Sequence, residues 1–207
     1  MAVTKDGELQ SAQVQRRPGG RSARVRDAVL RATIEALAEI GLRELTVSEI
    51  SRRADVHATS IQRRWGSVEA VVLDALLAYS EDHLPIPDTG QLRGDLVTFS
   101  MQLAAYLDAP LGDALVRALA TAHDNSVLAE NRARFWRVRL EATSVIVNRA
   151  IERGELPTGT DPGLLLEQLI APIHFRHLLT RQPVDSARIV QIVDLLLIGA
   201  QEHRSRD

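Results

Sequence analysis

The sequence predicts an all-α protein of about nine helices, with a three-helix unit at the amino end and a larger helical body after it. Three observations favour this fold class. Apolar residues recur at helical spacing along almost the whole chain after residue 20. Gly, Pro and capping residues separate the periodic segments. No segment alternates apolar and polar residues in the way that a half-buried strand does.

Length and composition exclude several classes of protein. The 207 residues suffice for one large or two small domains, and 45% of them are hydrophobic, which allows a sizeable core. The absence of cysteine excludes disulfides, thiolate metal sites and cysteine nucleophiles. No apolar run has the length of a membrane span and no signal peptide begins the chain, so we expect a cytoplasmic protein with no membrane contact.

Charge is distributed unevenly along the chain. Residues 1–66 contain twelve Lys and Arg against eight Asp and Glu, a balance of +4, whereas the remainder has a balance of −6. A basic amino-terminal third on an acidic body is typical of a nucleic-acid-binding unit joined to a body with another task. Chance unevenness is the alternative, because four charges alone do not exclude it.

The first helix is expected over 22–40, where apolar residues form one stripe. Gly41 follows as a natural C-terminal stop. This helix would brace the two short helices that come next, and Leu45 would join their small core. The predicted stripe consists of Ala28, Val29, Ala32, Ala36, Leu37 and Ile40.

Two short helices around a tight turn are expected in the segment that begins at Thr46. Thr46 is a good N-cap and Glu49 follows three residues later, which is the spacing of a capping box. Asp55 is expected to end this helix in a turn. One face of the helix is apolar and consists of Val47, Ile50 and Ala54.

The second short helix is expected over 58–65, with Ile61 and Trp65 as its buried stripe. Two helices joined by such a turn form the motif whose second helix enters the major groove of DNA. Gln binds adenine edges and Arg binds guanine edges, while hydroxyl and guanidinium groups also bind phosphate. An ordinary helix pair with a solvated polar face is the alternative. The polar face here carries Thr59, Ser60, Gln62, Arg63 and Arg64.

This segment and its surroundings resemble the TetR (tetracycline repressor) family of transcription regulators over about residues 24–72. In that family a helix ending in Gly precedes a T-V-x-x-I-A-x-x-A-G-V-S pattern, then a recognition helix of the form T-L/I-Y-R-x-F and an S-K-E-A-L stretch. The corresponding residues here are Gly41, Thr46, Val47, Ile50, Ala54, Val56, Ser60, Ile61, Gln62, Arg63, Arg64, Trp65, Ser67, Glu69 and Ala70.

Two positions depart from the family pattern. Gln62 stands where the family has a Tyr that frequently contacts DNA, which can change the base preference. Val68 stands where a Lys usually meets phosphate, so that contact is not carried over. The expected base contacts are Thr59, Gln62 and Arg63, with Ala58 close to the DNA. The expected phosphate contacts are Arg24, Thr46, Ser48, Ser60 and Arg64.

The chain is expected to divide into three parts. Residues 1–20 lack periodicity and contain Pro18-Gly19-Gly20, which predicts a disordered basic tail. Such an arm can track phosphates or enter the minor groove, although a tail that only aids solubility is an equal alternative. Residues 21–66 form the DNA-binding domain. Residues 67–207 form a helical ligand-binding and dimerisation domain.

The body is expected to contain six helices, over 67–83, 92–107, 111–122, 126–153, 162–180 and 186–203. The last two are apolar over more than one face, so they must be covered on more than one side. A fully internal helix pair is one solution. The resemblance implies the other, a homodimer through the last two helices, which would place recognition helices for half-sites about 34–36 Å apart or more.

The resemblance also implies an apolar cavity for a small effector, with Phe99, Tyr106 and Trp136 as candidate lining residues. Ordinary core packing is the alternative, because aromatic residues at helical spacing usually lie inside. His174 and His177 have a spacing of i and i+3 that could hold a metal, but no matched third ligand accompanies them. The sequence therefore assigns no metal and no cofactor.

Together these observations predict a DNA-binding transcription regulator, most often a repressor in the family that the chain resembles. It would bind a palindromic double-stranded operator as a dimer, and an unknown small effector would shift the body and lower operator affinity through the fourth helix. A helical small-molecule-binding protein or enzyme with an incidental helix-turn-helix is the alternative. No Ser-His-Asp arrangement or paired carboxylates stand out, so we expect no enzyme.

Overall fold

The computed structural model describes residues 20–120 and 126–203, and the regular structure within these ranges is helical without a strand. This confirms the predicted all-α fold. The expected tail over 1–20 lies outside the described residues except for Gly20. The helices are α1 (Gly20–Glu44), α2 (Val47–Ala54), α3 (Ala58–Trp65), α4 (Val68–His83), α5 (Leu92–Asp108), α6 (Pro110–Ala120), α7 (Ser126–Thr143), α8 (Val145–Glu152), α9 (Pro162–His174), a π-helical segment (Phe175–Thr180) and α10 (Ser186–His203).

Helix α1 is longer than predicted, and Gly41 marks a kink instead of its end. Gly41 adopts φ 75° and ψ 172°, and one further turn follows it to Glu44. The prediction that Ile40 is buried is wrong, because this side chain is 36% exposed. The kink changes the register of the apolar stripe, so that Leu42 packs against the core after it.

The ends of α2 follow local signals. Thr46 Oγ1 accepts a hydrogen bond from Glu49 N–H at 3.1 Å, as an N-cap does. The second half of the expected capping box does not form, because the Glu49 carboxylate binds Arg52 and Arg53 instead. Asp55 ends the helix with φ 52° and ψ 44°, a left-handed conformation that Asp enters more readily than most residues.

Helices α2 and α3 pack on α1 and α4 through one continuous core. Ile50 and Ile61 are fully buried in it. Leu115 of α6 and Phe135 of α7 belong to the same core, in which α6 packs on α1 and α7 packs on α4, so the core of the helix-turn-helix continues into the body. Ser67 caps α4, the helix expected over 67–83, by accepting a hydrogen bond from Ala70 N–H at 3.2 Å.

The body differs from the prediction at two helices. The single helix expected over 126–153 is divided at Ser144, where the hydroxyls of Thr143 and Ser144 donate to the carbonyls of Arg139 and Glu141. Such bonds compete with regular helix geometry. The α-helix expected over 162–180 becomes π-helical after His174. Pro172 lies one turn earlier, and its missing N–H removes a hydrogen bond from the helix.

None of the helices in the two described ranges is both long and apolar enough to cross a membrane.

Candidate nucleic-acid interface

Helix α3 has one anchored face and one free face. Ile61 is fully buried, and Trp65 lies half-buried against the core. On the opposite face Thr59, Gln62 and Arg63 are exposed. The predicted base-contact face is therefore open to a partner over the length of a short helix. Ala58 and Ser60 are half-buried at its start, beside His57, which occupies the N-cap position without a side-chain capping bond.

Asp74 on α4 fixes the carboxyl end of α3. Its Oδ2 accepts a hydrogen bond from Trp65 Nε1 at 3.0 Å. Its Oδ1 accepts one from Arg26 Nη2 of α1 at 2.9 Å. One carboxylate thus ties α1 and α3 to the helix that leads into the body. We call Arg26, Trp65 and Asp74 the α4 clamp.

The polar side chains of α3 differ in their present partners. Gln62 Nε2 donates to the Gly66 carbonyl, so its amide must turn away from the end of its own helix to read a base. Arg64 Nη1 donates to Ser22 Oγ at 3.2 Å, and its guanidinium carbon lies 5.1 Å from the centre of the Trp65 ring. Arg63 forms no hydrogen bond or ion pair with any residue of the two described ranges. Its guanidinium can therefore meet a base edge without first releasing a partner within those ranges.

The bond from Arg64 to Ser22 brings the start of α1 beside the end of α3. Arg24, a predicted phosphate contact, is exposed on this first part of α1. Thr46 and Ser48 are exposed at the start of α2. The Thr46 hydroxyl accepts the capping bond and can still donate its own hydrogen to a phosphate.

The arginines of α2 form ion pairs within the chain, which leaves them less available to DNA. Arg52 and Arg53 both bind Glu49, and Arg53 also binds Glu39 of α1 with Nη1 and Oε2 2.6 Å apart. Hydrogen bonds from Arg52 and then Arg53 lower the pKa of Glu49 to about 2. The carboxylate therefore stays ionised and cancels part of the basic charge on α2.

A cavity in the body is lined by all three residues that the sequence proposed for an effector, Phe99, Tyr106 and Trp136. Its inner part has a volume of about 50 Å³. An outer groove of about 490 Å³ shares the walls formed by Trp136 and His174. Burial raises the pKa of Tyr106 to about 12 and lowers the pKa of His174 below its usual value, so both are neutral at physiological pH.

Comparison with known proteins assigns the chain to a family. Residues 29–75 match the profile described as bacterial regulatory proteins, tetR family, and residues 86–196 match the profile described as tetracyclin repressor-like, C-terminal domain. The chain belongs to the TetR family of transcription regulators. The resemblance seen over residues 24–72 is confirmed, and so is the predicted function as a DNA-binding transcription regulator.

Individual TetR-family proteins are similar over most of their length. The HTH-type transcriptional regulator AqdR of Rhodococcus erythropolis is 35% identical over 181 residues, which cover 86% of each chain. The HTH-type transcriptional regulator YdeS of Bacillus subtilis is 30% identical over 84% of this chain and 88% of its own. The crystal structure of the TetR family transcription regulator SCO0332 aligns with a TM-score of 0.72 at 29% identity, covering 84% of this chain and 97% of the other.

Sequence reasoning missed two functional features of this TetR-family chain. Asp74 is the only charged residue in the otherwise apolar segment 70–79 of α4, a signal that could have marked it as a partner of other elements. Arg139, in the wall of the body cavity, lies in a segment rich in arginine, so no local pattern separates it from its exposed neighbour Arg137. The individual DNA contacts and effector residues stay predictions.

Proposed function

We propose that this TetR-family regulator is a ligand-responsive repressor that binds a palindromic operator as a homodimer. The observation that supports operator reading most strongly is the free face of α3, whose Arg63 has no partner in the described ranges while Ile61 and Trp65 anchor the helix. Arg63 and Gln62 would bind base edges, since both side chains offer the paired groups that guanine and adenine edges require. Thr59 would contact a thymine methyl, with Ala58 against the DNA.

Phosphate contacts would hold this helix in register. Arg64 and Arg24 would neutralise phosphates on one side of the groove, and the hydroxyls of Thr46, Ser48 and Ser60 would donate to phosphate oxygens. Because such contacts release counterions, binding to any duplex should weaken steeply as salt rises. We also propose that the chain divides into a tail over 1–20, a DNA-binding part over 21–66 and a body over 67–207.

Dimerisation would use the apolar face of the last two helices and the π-helical segment. Leu195 is 71% exposed and Leu179 is 72% exposed in the single chain, an unfavourable state for leucine in water. Leu164, Phe175 and Ile198 are more than half exposed on the same elements. A groove of about 890 Å³ between α9 and α10 runs beside Leu164 and Leu195. A second copy would cover this face, since an isologous contact buries the same groups on both chains.

The exposed apolar face and the DNA-reading face lie on different parts of the chain, so both can act at once. Membership in a family of transcription regulators favours this function over the helical enzyme considered from the sequence. Metal-assisted chemistry gains no support either, since the side chains of the described ranges form no group of three potential ligands.

Selection of bound sequences from a random duplex pool tests the proposal. The full chain at physiological salt should enrich an inverted repeat with half-sites about one helical turn of DNA or more apart. As a control, Arg137→Ala removes one positive charge from an exposed site on α7 and should enrich the same repeat. A motif without twofold symmetry would contradict the dimer, and no enrichment from a folded dimer would contradict operator reading.

A further inference from the structure

Among the residues that the structure describes, the inner part of the body cavity has one cation, Arg139, and no acidic side chain. Arg139 of α7 is partly buried in its wall, and burial lowers the pKa of its guanidinium. Its hydrogen bond within the described ranges runs from Nη2 to the Leu84 carbonyl at 3.4 Å, which is long for such a bond. Most of the five donors of this guanidinium therefore lack an acceptor within the described part of the chain.

Neutral groups surround this guanidinium. The other polar residues in the wall of its inner part are Ser80, Tyr106, Thr143 and His174. No Asp or Glu lines this inner part among the described residues, whereas Glu167 lies in the wall of the outer groove. Glu81 raises the pKa of Arg139 through its charge, but its side chain is exposed on the outer side of α4. A buried charge that lacks a bonded counter-charge is costly, so the site favours an anion from outside the chain.

We propose that this cavity binds an amphipathic monoanion, with a compact anionic group such as a carboxylate on Arg139 and an apolar body that extends past Trp136 into the outer groove. The proposal rests on the proposed function, because it assigns a chemical class to the effector of that same cavity. Tyr106 would supply a hydroxyl donor beside the anionic group, because its oxygen accepts from Ser80 and its own hydrogen stays available.

The shape of the cavity suits a head group and a tail. The inner volume of about 50 Å³ accommodates only a small group, whereas the outer groove of about 490 Å³ accommodates a hydrocarbon or ring system. Trp136 and His174 stand where the two spaces meet, with ring centres 5.4 Å apart in an edge-to-face arrangement. Along α7, Arg132 of the groove and Arg139 of the inner wall are separated by about 10 Å of helix rise.

Arg139 also connects the cavity to the helix that carries the DNA-binding part. The Leu84 carbonyl that it contacts lies at the C-terminal cap of α4. A ligand carboxylate would compete for the guanidinium, because a charged acceptor forms a stronger hydrogen bond than a carbonyl. The end of α4 would then lose this tether. Since α4 also provides Asp74 of the α4 clamp, ligand binding would be linked to the placement of α3.

Isothermal titration of the full chain in the absence of DNA tests the ligand class. The probes are decanoate, its neutral analogues decanol and decanamide, a series of shorter and longer saturated carboxylates, and one aryl carboxylate. At least one carboxylate should bind roughly tenfold to a hundredfold more tightly than its neutral analogues, the range expected for hydrogen bonds to a charged group. Binding of the neutral analogues with equal affinity, or no binding across the carboxylate series, would overturn the proposal.

Two variants identify the arginine responsible. Arg139→Gln should remove the preference for the carboxylate and leave the affinity for the neutral analogues within about twofold of wild type. Arg137→Gln removes the same charge from an exposed position on the same helix and should retain the preference. An unchanged preference in Arg139→Gln would overturn the assignment. The comparison of ligands on the wild-type chain stands even if Arg139→Gln does not fold.

The ligand titration and operator selection fail separately. Carboxylate preference without operator enrichment would contradict the proposed repressor and leave the ligand class intact. Operator enrichment without carboxylate preference would contradict the ligand class and leave the proposed repressor intact. If both succeed, adding the preferred carboxylate should lower operator affinity in wild type and have no such effect in Arg139→Gln.

Discussion

The helix-turn-helix and the last two helices differ in what each leaves exposed. In the helix-turn-helix, apolar side chains such as Ile50 and Ile61 are fully buried, and the exposed side chains are polar. In the last two helices, Leu195 and Ile198 face outward although the same helices bury Leu169 and Val193 completely. One surface suits a charged, hydrated polymer, and the other suits a second apolar surface. The difference assigns separate tasks to the two ends of the chain.

The substitution with the largest expected effect is Leu195→Glu, which places a charge on the apolar face. Loss of apolar burial costs about 2 kcal/mol for each leucine, and the twofold contact contains two copies. The dimer dissociation constant should therefore rise roughly a thousandfold, and operator affinity should fall with it. Sedimentation equilibrium measures the first quantity and fluorescence anisotropy the second.

Asn148→Glu is the matched control for that charge, because Asn148 is exposed on α8 and is not part of the apolar face of the last two helices. It should leave the dimer unchanged. If Leu195→Glu remained dimeric at the same concentrations, the apolar face would need a different partner.

On α3, substitution of Gln62 should reduce sequence preference, whereas substitution of Arg64 should reduce affinity for every duplex. Gln62→Ala should cost about 1–3 kcal/mol on the operator and little on a random duplex, because a base-edge contact is lost. Arg64→Ala should weaken binding to both duplexes alike and reduce the salt slope by about one. Anisotropy titrations of each variant with the operator and with a random duplex, at several salt concentrations, measure these affinities. Equal losses on both duplexes for both variants would contradict the division into base and phosphate contacts.

The α4 clamp joins the polar end of the chain to the body, and Asp74→Asn weakens it. The amide of Asn has one acceptor oxygen in place of two, so it cannot accept from both Arg26 and Trp65 in their present positions, and the ion pair with Arg26 disappears. Because these side chains are about one-third exposed, with Arg26 at 33% and Asp74 at 34%, we expect a cost near 1 kcal/mol in the free energy of unfolding. Urea denaturation measures this cost. Operator affinity should fall while binding of carboxylates in the body cavity stays unchanged.

Asp82→Asn removes an equal charge from an exposed position on the same helix and should change neither the free energy of unfolding nor the operator affinity. A matching loss in both variants would mean that net charge, and not the clamp, is responsible.

The smallest expected effect concerns the ion pairs of α2. The pKa of Glu49 falls from its ordinary 4.5 to about 2 in the folded chain, so ionised Glu49 stabilises the fold. This contribution is fully present above pH 4.5 and is lost as the pH falls towards about 2. The carboxyl ¹³C shift of Glu49 should therefore titrate with a midpoint near 2, whereas a midpoint near 4.5 would contradict the ion pairs. The free energy of unfolding of Glu49→Gln should lie below that of wild type above pH 4.5, and the difference should shrink as the pH falls towards about 2.

The parts of the fold that the sequence predicted depend on neighbours in the chain. Thr46 and Ser67 cap the helices that follow them, and each bond spans three residues. Asp55 supplies the turn because its own backbone adopts the left-handed conformation. Such features are visible in a short window of sequence, and together with the family pattern they identified the helix-turn-helix.

The features that escaped prediction depend on distant packing. The hydrogen bond between Arg26 and Asp74 spans 48 positions, and the one between Arg139 and Leu84 spans 55. Periodicity likewise does not show the kink at Gly41, where the register of the apolar stripe changes, so Ile40 was expected to be buried. The aromatic residues Phe99, Tyr106 and Trp136, named from the sequence as candidate effector residues, line one cavity, but spacing alone did not reveal the cation beside them.

The most direct test of the central claim is the duplex selection repeated with Arg63→Ala. The claim is that the free face of α3 reads DNA while the apolar face of the last two helices pairs two copies. The variant should enrich the wild-type inverted repeat with the preference relaxed at one base pair in each half-site, at positions related by the twofold axis. An unchanged motif would show that Arg63 reads no base, and a change confined to one half would contradict the symmetric dimer.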